Sequence, residues 1–99
     1  MNTYLTELKN QIGHQAFFML GAKDFVCSNE ENYLMFRIRG SKKWNKIKIK
    51  YNAGYDLYEI TFYKIWKYGV RSEKTVTGIY CDMLHKTIET ETGLNTKLF

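Results

Sequence analysis

The stretch that decides the fold is Tyr33-Leu34-Met35-Phe36-Arg37-Ile38-Arg39, followed after a short basic turn by Lys46-Ile47-Lys48-Ile49-Lys50-Tyr51. Apolar and polar residues alternate through both runs. Successive side chains of an extended chain point to opposite sides, so a period of two predicts a strand with one buried face. Leu34, Phe36 and Ile38 make one apolar set, and Ile47, Ile49 and Tyr51 the next. Gly40-Ser41, with Lys42 and Lys43, reads as the turn between them, and Asn52-Ala53-Gly54 as the turn that follows.

Working outward, the same period continues from Tyr55 to about Lys67, where Tyr58, Ile60 and Phe62 oppose Glu59, Thr61 and Tyr63. Ile65 and Trp66 are adjacent and both call for burial, which a bulge would accommodate. Gly69 marks a turn, and Val70 to Thr77 reads as a more polar edge strand. The flanks change period. Leu5, Leu8 and Ile12 recur at helical spacing behind a capping candidate, Asn2 or Thr3. Gly13 interrupts, and His14 to Leu20 either continues that helix or begins a second one, which Gly21 ends. Asp24-Phe25-Val26-Cys27 and the polar turn Ser28 to Asn32 lead into the first strand. At the other end Tyr80, Met83, Leu84 and Ile88 form an apolar helical stripe, with Thr77 as cap and Asp82 in the first turn. Gly93-Leu94 resembles a Schellman stop. The expected architecture is α+β, a single domain over residues 1–99. An N-terminal helix and a C-terminal helix pack on one face of an antiparallel, three- to four-stranded meander sheet.

The composition, 44% hydrophobic and 25% charged, is that of a folded chain rather than a disordered one. The longest apolar run, Ala16 to Leu20, falls far short of the roughly 18–20 residues a spanning helix needs. The opening residues lack the basic and apolar regions of a signal peptide, so a cytoplasmic setting is expected. Cys27 and Cys81 have no metal or redox spacing and are expected to be reduced, partly buried thiols.

Catalytic signals are absent. No nucleophile motif or phosphate-binding glycine loop occurs, and His14, His85, Cys27 and Cys81 do not converge at any usual metal-ligand spacing. His85 with Asp82 reads as a surface pair, and Glu89 with Glu91 as an exposed acidic helix end. A non-enzymatic chain is expected, with no cofactor and no metal.

Charge carries the information that remains. Seven cations, Arg37, Arg39, Lys42, Lys43, Lys46, Lys48 and Lys50, fall between Asn32 and Tyr55 without one acidic residue, in a chain of net charge +5. Alternation places Arg37, Arg39, Lys46, Lys48 and Lys50 on the face away from the helices, together with Tyr33, Met35 and Tyr63. Cations neutralise phosphates and exposed rings stack on bases, so this combination suits single-stranded DNA or RNA. A half-covered sheet must also present a polar face to water, and lysines there discourage edge-to-edge aggregation, which is the competing explanation.

Met19–Val26, Tyr33–Tyr51, Asp56–Ile65 and Gly78–Leu94 together resemble a family of small, poorly characterised proteins encoded in bacteriophages, prophages and mobile elements. The most specific block is Tyr80, Asp82, Met83 and Leu84, followed by Glu91-Thr92-Gly93-Leu94. The longer N-terminal helix and the heavier basic loading of Arg37 to Lys50 depart from the family pattern. The resemblance carries over no site residues and implies a setting, the cytoplasm of an infected bacterium. Accessory proteins there bind nucleic acid or host machinery. The expected function is therefore nucleic-acid binding through the basic, aromatic sheet face. The alternative is a protein-binding inhibitor or modulator of a host complex, such as a restriction or CRISPR nuclease. A homodimer seam built from exposed Tyr, Trp and Met is a third reading. The basic charge argues against mimicry of DNA.

Overall fold

The structure is a computed structural model in which residues 3–96 are described. Its element order is α1 (Thr3–Leu20), β1 (Lys23–Ser28), β2 (Tyr33–Arg37), β3 (Lys46–Asn52), β4 (Leu57–Trp66), β5 (Gly69–Ile79), a short 3-10 turn (Cys81–Met83) and α2 (Leu84–Thr92). The five strands form one antiparallel sheet in the order β1-β2-β3-β4-β5. The α+β meander read from the periodicity is thus present, with five strands where three or four were expected. The addition is β1, whose residues are almost all exposed and show no alternation.

Both helices cover the same side of the sheet. α1 supplies Leu5, Leu8, Ile12, Ala16 and Leu20 to the core, and α2 supplies Leu84 and Ile88. They meet Leu34 and Phe36 of β2, Ile47 and Ile49 of β3, and Tyr58, Ile60 and Phe62 of β4. Each fully buried Leu or Ile contributes roughly 1.5–3 kcal/mol, so truncating Leu8 to Ala would cost about 2–5 kcal/mol.

The interruption expected at Gly13 is real. This residue adopts φ 83° and ψ 157°, splitting α1 into two helical pieces. Only glycine occupies that region without strain, so the sequence sets the kink locally. The cap expected at Asn2 or Thr3 lies outside the described residues and side chains.

The C-terminal segment corrects several expectations. Thr77 belongs to β5 and is no helix cap, because β5 continues until Ile79 pairs with Tyr58. A 3-10 turn intervenes, so Tyr80 and Met83 are exposed and the buried helical stripe begins at Leu84. The helix ends at Gly93, whose N–H donates to Glu89 O at 2.9 Å. That single bond is the simpler left-handed stop rather than the Schellman pattern.

His85 makes no surface pair with Asp82. Its Nε2 lies 3.2 Å from Gln11 O, and its Nδ1 lies 3.1 Å from Thr96 Oγ1. A carbonyl only accepts, so Nε2 carries a proton and donates it to Gln11 O. This ring ties α1 to the chain beyond α2. Nor are Glu89 and Glu91 simply solvated. Glu89 Oε2 accepts from Thr96 N, and Glu91 pairs with Lys74 of β5 at 3.0 Å. Cys27 and Cys81 are both free thiols, and both are exposed rather than partly buried.

Candidate nucleic-acid interface

The strand register settles which side chains share the uncovered face. Across β2 and β3, Tyr33 pairs with Lys50, Met35 with Lys48 and Arg37 with Lys46. Across β3 and β4, Lys46 pairs with Tyr63, Lys48 with Thr61 and Lys50 with Glu59. Directly opposed residues of an antiparallel pair lie on one side, about 4.5–5.5 Å apart at Cβ. Three rows therefore cross the face. They read Arg37-Lys46-Tyr63-Glu73, Met35-Lys48-Thr61-Thr75 and Tyr33-Lys50-Glu59. Arg37, Lys46, Lys48 and Lys50 are brought together with Tyr33, Met35 and Tyr63.

The electrostatics of these rows are uneven. Arg37 lies 3.8 Å from Asp24, an exposed pair that contributes little. Among the described residues, Lys46, Lys48 and Lys50 make no ion pair. Lys48 Nζ instead sits 4.6 Å from the centroid of the Tyr33 ring. Burial, with Glu73 across the ladder, raises the Tyr63 phenol above its ordinary range, so that ring stays neutral at physiological pH.

The other three predicted cations lie elsewhere. Arg39 follows the end of β2, and its backbone N–H donates to Leu20 O at the end of α1. Its Cβ packs so closely on Gly21 that a methyl there would approach it to 2.9 Å. Arg39 lies past the last β2–β3 pair, Arg37 with Lys46, and stands outside the three rows. Lys42 and Lys43 sit in the connection between β2 and β3, which folds over the end of α2. Ser41 Oγ donates to Thr92 O at 2.9 Å and accepts from Lys43 N and Trp44 N. Both lysines line a concavity with Thr90, Glu91 and Gly93. Trp44 enters the core beside Phe62.

The sequence reading passed over a second exposed feature. β3 begins at Lys46, opposite Tyr63, while β4 runs on to Trp66 and returns through Gly69 into β5. This hairpin end exposes Trp66, Tyr68 and Val70. A bulge does lie here, as the adjacent Ile65 and Trp66 suggested, but its extra residue belongs to β5. Lys64 pairs with Ser72 and Ile65 with Val70, which leaves Arg71 unopposed. The polar signal that could have found the site is Asn45. Its carboxamide donates to Ile65 O at 2.9 Å and accepts from Ile65 N at 2.8 Å, standing in for the missing strand.

Elsewhere, a small polar recess of about 160 Å³ is lined by Glu7, Gln11, Tyr51, Asp56, Tyr58, Tyr80 and Cys81. Tyr51 Oη donates to Asp56 at 2.6 Å and Tyr58 Oη to Gln11 Oε1 at 3.1 Å, so these hydroxyls are engaged in holding the turn and α1. Among the described residues no three His, Cys, Asp or Glu side chains are grouped to hold a metal ion. No helix among them is long and apolar enough to cross a membrane. Compared with protein-family models, curated proteins and solved structures, the chain matches none.

Proposed function

We propose that this chain is a non-enzymatic accessory protein of the phage type that binds single-stranded DNA or RNA through the uncovered face of its sheet. The observation that carries this reading is the grouping of Arg37, Lys46, Lys48 and Lys50 around Tyr33 and Tyr63, with the three lysines free of ion pairs among the described residues. Here Lys46 and Lys48 face an aromatic ring and a threonine instead of carboxylates. The lysines and arginine would follow the phosphates, while the two rings stack on whichever bases pass, so recognition would be weakly sequence-selective.

Four phosphate contacts set the salt dependence. For a single strand the slope is about −0.7 per phosphate, hence about −3 in log affinity against log salt. Between about 50 and 200 mM salt the affinity should fall roughly 50-fold. The test is fluorescence anisotropy with labelled DNA and RNA of about 15 nucleotides, within the usual range of site sizes. Replacing Lys46, Lys48 and Lys50 by Glu takes the net charge from +5 to −1, since each exchange subtracts two. It should abolish binding while leaving the circular dichroism unchanged. A well-folded wild-type sample that binds neither oligonucleotide at about 50 mM salt removes the reading.

A further inference from the structure

We infer that the hairpin end of β4 and β5, Trp66 to Arg71, is a stacking arm that grips the nucleic-acid strand where it leaves the basic face. This inference rests on the proposed function and adds a second contact region to it. The arm is a projection. β4 continues for three residues beyond the Tyr63 row, about 10 Å at the usual rise of a strand, and only β5 accompanies it.

The arm is loaded in a way that folding does not require. Trp66 is 50% exposed, Tyr68 86% and Val70 56%. The turn needs one residue of positive φ, and Gly69 supplies it with φ 121°. Tyr68 therefore has no backbone role, and a short polar residue would turn the chain as well. These rings take little from the core; within the chain each is met by a cation, and a flat partner from outside would bury their open faces.

The charges around the rings indicate the partner. No acidic residue occurs from Ile60 to Ser72, while Lys64, Lys67 and Arg71 do. Lys67 Nζ lies 5.1 Å from the Tyr68 ring centroid, and the Arg71 guanidinium carbon lies 4.9 Å from that of Trp66. A cation seated on one face of a ring leaves the opposite face for a base and stays at hand for the adjoining phosphate. The bulge at Arg71 turns that side chain out of the regular ladder. Tyr63, on the basic face, precedes Trp66 by three residues on the same strand, an odd spacing that puts Trp66 on the other side of β4, so a ligand leaving the basic face at Tyr63 reaches the Trp66 ring by turning over the end of the hairpin. Asn45 clamps Ile65 from the other side and keeps the arm in place.

The chain has two tryptophans, which makes the arm directly observable. Trp44 is 4% exposed, out of reach of a surface ligand, whereas Trp66 stands on the arm. The full chain is titrated with dT and rU oligonucleotides of about 15 nucleotides while tryptophan emission and anisotropy are followed. Emission should be quenched in the wild type and unchanged in Trp66→Phe. Trp66→Ala combined with Tyr68→Ala should weaken binding at least tenfold, since stacking of about 1–3 kcal/mol per base corresponds to roughly 5- to 150-fold. Native Trp44 emission confirms that this variant is folded. If the wild type binds, but without quenching and with affinity unchanged in the double variant, the arm is refuted while the basic face stands. If the wild type binds no oligonucleotide, both fail. Quenching by phosphatidylserine vesicles but not by oligonucleotides overturns the inference in favour of a membrane contact.

Discussion

Replacing Asn45 by Ala removes one carboxamide that does the work of a missing strand, and its cost can be worked from two bonds. The side chain donates to Ile65 O at 2.9 Å and accepts from Ile65 N at 2.8 Å. β3 does not reach this far, so no other backbone group takes over either contact. The backbone bonds of Asn45 itself, to Tyr63 O and from Ile38 N, survive the substitution. A typical internal hydrogen bond contributes about 1 kcal/mol, and a deeply buried orphan group would raise this to about 1–3 kcal/mol. Ile65 is only half-buried, so water reaches part of the gap and the lower figure applies. The expected loss is about 2 kcal/mol in total. For a chain of this size that lowers Tm by roughly 8–16 °C.

The assay is urea unfolding followed by circular dichroism, with the loss read from a midpoint shift at constant slope. Asn45→Asp is the informative companion. It keeps an acceptor for Ile65 N–H but turns a carboxylate oxygen toward Ile65 C=O, so it should be no more stable than the alanine variant. Hydrogen exchange adds a local readout: the Ile65 amide should lose protection while the Phe62 amide keeps most of its own. A loss below about 0.5 kcal/mol, within the range of ordinary surface changes, would refute the idea that Asn45 anchors the arm.

Burial, then the negative groups of Glu7, Cys81 and Asp56, push the Tyr58 phenol up to about 12. In the unfolded chain it ionises near its ordinary value of about 10, so the unfolded state loses its proton first. The contribution of Tyr58 to stability should be level below about pH 10 and decline between about 10 and 12, and Tyr58→Phe should remove that part of the decline in unfolding curves. Gly13→Ala meets no atom within 4 Å, so its whole cost is the backbone strain of φ 83°. A loss of about 1–3 kcal/mol is expected, and an unchanged unfolding midpoint would show that α1 straightens instead. Both thiols are free and exposed, so an aromatic disulfide reagent should label Cys27 and Cys81 in the native protein without denaturant. Reaction of one thiol alone would contradict this arrangement.

The parts of the fold legible in the sequence are those whose signal is local. β2, β3 and β4 each bury one face, so alternation recorded them and also assigned Arg37, Lys46, Lys48 and Lys50 to a common side. Gly13 and Gly21 marked the break and the end of α1 for the same reason. What escaped was decided at a distance. β1 is an exposed edge with a register shift, so no alternation survives to announce it. Arg39 follows the period, but pairing with β3 stops at Arg37 and its backbone bonds to the end of α1. Ser41 finds Thr92 across 51 positions, and His85 finds Gln11 across 74, where the sequence offered only the nearby Asp82. The arm was half legible: the clash of Ile65 with Trp66 pointed to a bulge, but the overhang depends on where β3 starts.

The acids of the uncovered face clarify how a strand would lie on it. Asp24 approaches Arg37, Glu59 stands opposite Lys50, and Glu73 stands opposite Tyr63. Each occupies a border of the patch. The middle row, Met35-Lys48-Thr61-Thr75, contains no carboxylate at all. A polyanion is therefore repelled at the borders and attracted toward Lys48 and Lys46, the two lysines that face no acid. Of the two ends of β4, the one carrying Trp66 adds Lys64, Lys67 and Arg71, whereas the one starting at Leu57 follows Asp56 and leads into Glu59. The potential along the strand thus rises toward the arm. The charge gradient, Tyr63 and the exposed Trp66 and Tyr68 favour one end of the sheet, while Tyr33 stands at the other.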